Sequence, residues 1–103
     1  MQQSVKEFIA AYQLHTDAET RYIDLVSEVG ELGKEIITST EYGKKPYAPA
    51  PSATDELGDC LFSLLALCCE MDVDAQLALG QALAKYERRF AQKGHVGSGG
   101  HIT

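Results

Sequence analysis

At 103 residues the chain holds one domain, since single domains commonly run to about 100–150 residues. With 45% hydrophobic and 23% charged residues, the composition excludes a disordered chain. Nine basic against fifteen acidic side chains leave a net charge of −6, which repels a phosphate backbone and argues against nucleic-acid binding. The longest apolar run, residues 60–69, is broken by Ser63 and falls short of the ~20 residues that a membrane span needs. Cys60, Cys68 and Cys69 form no CxxC or zinc spacing. Together with an amphipathic start lacking a leader-like apolar run, they point to a reduced, soluble, cytoplasmic protein with no membrane partner.

Four helices are expected and no strand. The first covers residues 5–14, with Ser4 and Glu7 as a capping box and Val5, Phe8, Ile9 and Tyr12 on one face. The second covers 18–38, capped by Thr16 with Glu19. Its stripe is Tyr22, Leu25, Val26, Val29, Leu32 and Ile36. Residues 39–53 hold all three prolines and read as a long loop, either a binding lid or a plain linker. The third helix, 54–71, is capped by Ser52 or Thr54, has Asp55 and Glu56 in its first turn, and is apolar nearly all round. That makes it the central, most buried helix. The fourth runs over 74–93 and stops at Gly94. Residues 1–94 then form the helical domain, and residues 95–103 a Gly-rich tail.

Chemistry concentrates in two similar stretches. Glu28-Val29-Gly30-Glu31 and Glu56-Leu57-Gly58-Asp59 each read acid, aliphatic, glycine, acid. On a helix, residues three apart are neighbours, so each stretch presents a carboxylate pair. Asp24, Glu28, Glu31 and Glu35 gather beside the second helix's apolar stripe. Glu56 and Asp59 share a face with Ser63 and Ala66. Antiparallel packing turns both pairs into one cleft. Gly30, Gly33 and Gly58 suit close helix approach there, or are simply tolerated. Clustered carboxylates repel one another unless a cation sits among them. An all-oxygen set suits Mg²⁺, with Mn²⁺ as substitute, and Mg²⁺ is readily shared with substrate phosphates.

The segments DLVSEVGELGKEI and TDELGDCLFSLLAL resemble the two motif helices of the MazG-like family, the all-α nucleoside triphosphate pyrophosphohydrolases. Lys85-Tyr86-Glu87-Arg88-Arg89-Phe90 is similar to that family's basic stretch. The resemblance covers roughly residues 18–40 and 54–90. It implies an oligomeric four-helix MazG-like bundle, a homodimer or homotetramer. It implies cleavage of a nucleoside triphosphate to monophosphate and diphosphate. Glu28, Glu31, Glu56 and Asp59 carry over as metal ligands, and Lys85, Arg88 and Arg89 as phosphate contacts.

Other roles are read from the residues. Glu31 or Glu35 orients the attacking water. Ser63, one turn past Asp59, reaches a sugar. Some family members set a tryptophan against the base; this chain has none. Stacking then falls to Phe8, Tyr12, Tyr42 or Tyr47, although Phe8 and Tyr12 also suit a core. The basic trio also suits the negative end of a helix dipole. Housecleaning of the nucleotide pool is the favoured function, with a catalytically silent nucleotide- and metal-binding module as the alternative.

Overall fold

The computed structural model describes residues 1–48 and 50–93. The expected stop at Gly94 and the tail over 95–103 lie outside the described residues. Within them the chain is all-α, with four helices: α1 (Gln2–Ala11), α2 (Ala18–Ser39), α3 (Pro51–Glu70) and α4 (Ala75–Lys93). They divide into two compact units, Met1–Val73 with α1 to α3, and a second that begins at Asp74 and holds α4. No helix among the described residues is long and apolar enough to cross a membrane.

The helix boundaries shift from the sequence expectation for local reasons. Helix α1 starts at Gln2, so Ser4 is interior and caps nothing. The Gln2 amide donates to the Val73 carbonyl at 2.7 Å, a long-range tie that no local pattern encodes. Helix α2 is capped by Asp17, not Thr16: its carboxylate accepts from the Thr20 N–H at 2.7 Å. That hydrogen bond holds the Asp17 carboxyl below its usual value. The loop is shorter than expected, because α3 begins at Pro51. Proline suits a first helical position, where its missing N–H is no loss. Neither Ser52 nor Thr54 caps α3, and its first turn is not acidic. Asp74 accepts from the Leu77 N–H at 3.1 Å at the start of α4.

Three helices end alike. Leu14, Tyr42 and Val73 donate to carbonyls five residues back, at 2.9, 2.8 and 2.9 Å. The residue before each is left-handed: Gln13 at φ 54°, Glu41 at 51° and Asp72 at 56°. This is the Schellman closure, here without its usual glycine. After α2 the left-handed run extends through Tyr42 to Gly43 at φ 88°.

Within the first unit α3 packs on both α2 and α1. Its α1 side is aromatic: Phe8 meets Phe62 edge-on at 5.8 Å and Tyr12 at 4.8 Å. The buried apolar core is small: Ile9, Leu65 and Ala66. Helix α3 holds most of it, as expected, but it is not buried all round. Leu57, Leu61 and Leu64 remain exposed.

Candidate metal centre

The pairing of α2 with α3 follows a three-and-four spacing. Apart from Ala18 and Gly33, the less exposed positions of α2 are Arg21, Leu25, Glu28, Leu32, Glu35 and Ser39. On α3 the matching row is Ala53, Glu56, Cys60, Ser63, Leu67 and Glu70. That spacing is how two helices keep one seam in contact. Three observed approaches fix the antiparallel register: Glu35 with Ser52, Glu28 with Glu56, and Arg21 with Glu70. The seam thus passes through carboxylates, and the predicted apolar stripe of α2 divides. Leu25 and Leu32 join the seam, whereas Tyr22, Val26, Val29 and Ile36 stay exposed.

Carboxylate oxygens of Glu28, Glu56 and Asp59 all lie within 4.8 Å of one another. Glu28 and Glu56 are half-buried, and Asp59 is exposed at the seam's edge. The Glu56 carboxyl is pushed above its ordinary value, first by desolvation and then by Asp59, Glu31, Glu28 and Glu35. Cys60 lies in the same field; desolvation and then Glu28, Glu56 and Asp59 raise its thiol. A cation reverses such shifts, and three or four hard oxygens fit a divalent ion that keeps several waters. The donor set therefore fits the implied metal.

Other predicted residues fall as follows. Glu31 is outside the triplet and exposed, because it lies three residues from Glu28 but off the seam. It still reaches Glu56 electrostatically. Glu35 is in the seam and accepts a hydrogen bond from Ser52. Ser63 lies in the seam, one turn past Asp59, and is 8% exposed. Tyr12 ends α1 and is 66% exposed beside Phe8. Lys85, Arg88 and Arg89 share one face of α4, with the Lys85 ammonium 5.2 Å from the Tyr86 ring centre. Gly30, Gly33 and Gly58 do not serve close approach of α2 to α3: an added Cβ at any of them meets no atom within 4 Å.

Sequence reasoning missed two contacts. Buried Arg21 sits 3.6 Å from the Glu70 carboxylate and donates to the Leu14 carbonyl. The Thr16 N–H reaches the same carboxylate at 3.4 Å. Ser52 was read as a cap for its own helix, but its hydroxyl turns to Glu35. The three-and-four spacing of polar residues held the signal for both.

The fold and this geometry define a class: an all-helical protein with an acidic centre set between two antiparallel helices. A model of the MazG nucleotide pyrophosphohydrolase domain matches residues 17–93, and the chain belongs to that family. The match begins at Asp17, the cap of α2. No curated protein and no solved structure matches the chain.

Proposed function

We propose that the protein is a divalent-metal-dependent nucleoside triphosphate pyrophosphohydrolase, converting a (d)NTP and water to (d)NMP and diphosphate. The observation that carries this reading is the Glu28–Glu56–Asp59 carboxylate group inside a MazG-family domain. Those three residues and Glu31 hold the ion, Mg²⁺ or Mn²⁺ by donor chemistry. Bound there, the metal supplies charge neutralisation for the triphosphate and acidifies a water. Lys85, Arg88 and Arg89 are the residues this reading assigns to the phosphate oxygens, since cations offset the charge that accumulates on the leaving group. Exposed Tyr12 offers a ring face to the base. The family match spans residues 17–93, and this reading takes residues 1–94 as the domain.

A homodimer or homotetramer completes the reading. On α2, Tyr22, Ile23, Val26 and Val29 are 57%, 59%, 52% and 51% exposed, an apolar row that a second copy covers. The reaction suits cytoplasmic nucleotide housecleaning.

The test is diphosphate release from a panel of canonical and modified NTPs and dNTPs, with Mg²⁺, Mn²⁺ or EDTA. Release with metal, abolished by EDTA, is the expected result. Metal binding without release from any substrate replaces this reading with the silent binding module.

A further inference from the structure

One contact in the α2–α3 seam lies a turn beyond the carboxylate group, toward residues 40–50. The Ser52 hydroxyl donates to the Glu35 carboxylate. Glu35 follows Glu31 by four residues on α2, and Ser52 precedes Glu56 by four on α3. The pair is thus a further rung of the same antiparallel ladder, past Leu32 on α2. Ser52 stands beside Pro51 at the start of a helix that has no side-chain cap. Its hydroxyl serves the neighbouring helix instead of its own. Glu35 is half-buried in the seam, whereas Glu31 is exposed. Glu35 also contributes to the field on Glu56, so its charge is felt at the centre.

We propose that Ser52 is a positioning residue that holds the Glu35 carboxylate at the loop end of the acidic seam, so that Glu35 and not Glu31 takes the proton of the attacking water. This role rests on the pyrophosphohydrolase reading. The water oxygen bonds to a phosphorus of the α–β anhydride, and its proton passes to the Glu35 carboxylate. The bridging P–O bond breaks, its electron pair stays on the bridging oxygen, and Glu35 then returns the proton to solvent. The donated hydrogen bond fixes the direction of the Glu35 carboxylate.

The experiment is a double-mutant cycle on the full chain. Ser52→Ala lowers kcat about tenfold with KM unchanged, the scale of one hydrogen bond to a charged group. Ser52→Thr restores it. Glu35→Gln loses at least as much, and adding Ser52→Ala to it loses no more. Without substrate, in EDTA, the thermal midpoints of the two single variants and the double variant show coupling. An active wild type with an unchanged Ser52→Ala kcat, or with additive losses, overturns the role of Ser52. Absence of coupling in EDTA overturns the contact itself. A wild type that releases no diphosphate overturns the underlying reading, and this role falls with it.

Discussion

Two charged rungs of the α2–α3 seam, one at its end and one nearer its middle, are built alike and behave differently. At the end near the α1–α2 turn, Glu70 has Arg21 beside it at 3.6 Å, and the Thr16 N–H as well. At the rung nearer the middle Glu28, Glu56 and Asp59 stand together, with no cationic side chain paired to them among the described residues. A half-buried carboxylate is stable when a charge or a donor answers it. Arg21 answers at the end rung, making that rung a structural lock. At the carboxylate rung desolvation, and after it the neighbouring carboxylates, push the Glu56 carboxyl up. The same helical spacing thus places a carboxylate beside a cation at one rung and beside other carboxylates at the other.

The largest effect expected is at the open rung. Glu56→Gln lowers diphosphate release by more than about 100-fold, since even the outer partners of metal ligands are worth about 10–100-fold. Calorimetry with Mn²⁺ reads the accompanying loss of affinity. The metal-free fold survives, because one repelling charge is gone. It also loses part of its pH dependence. The folded state binds a proton at Glu56 more tightly than the unfolded chain does. The resulting stabilisation is complete below the ordinary glutamate range and is lost as pH rises through the folded value. Asp17 has the opposite sign, since its lowered carboxyl stabilises above its ordinary range and fails only in stronger acid. Thermal midpoints in EDTA across mildly acidic pH therefore fall with rising pH in wild type, and fall less in Glu56→Gln. Full activity in that variant breaks the comparison at once.

The closed rung gives the next effect, on stability. Glu70→Ala leaves Arg21 buried without its partner and destabilises the fold by about 3 kcal/mol, in the range for breaking a buried pair. Arg21→Met combined with Glu70→Leu removes both charges and recovers most of that loss. Urea unfolding of the three proteins decides it. If Glu70→Ala is as stable as wild type, the pair is no lock.

These two rungs were unequally legible in the sequence. The four helices were readable because Phe8 with Tyr12, or Leu25 with Leu32, repeat at helical spacing. The paired acids were readable because Glu28 and Glu56 each begin an acid–x–glycine–acid run. Which carboxylates meet was not. Glu31 and Glu28 look equivalent in sequence, and only the register of α3 brings Glu28 inward and leaves Glu31 out. Arg21 drew no reading at all, because its partner Glu70 lies 49 positions away. The start of α1 differs from the capping-box reading, and the residue there, Gln2, bonds to Val73, far along the chain. Propensity and spacing fix elements; pairing between elements fixes the polar contacts.

The glycines give the smallest effect and the sharpest use of the comparison. Gly30, Gly33 and Gly58 each sit in a helix at positions where a Cβ meets nothing within 4 Å. Within this chain, alanine at any of them is therefore free of clash, and helix propensity alone favours it by about 0.5–1 kcal/mol per site. For a domain of this size, 1 kcal/mol raises the thermal midpoint by roughly 4–8 °C. Gly30 adjoins exposed Val29, and Gly58 adjoins exposed Leu57. If these surfaces face only water, Gly30→Ala and Gly58→Ala raise the midpoint and leave sedimentation and turnover unchanged. If a second copy packs its backbone there, the same substitutions shift the protein toward monomer as dilution proceeds. If a substrate approaches there, they raise KM with the assembly intact. The absence of a side chain is then explained by whichever partner the added methyl displaces.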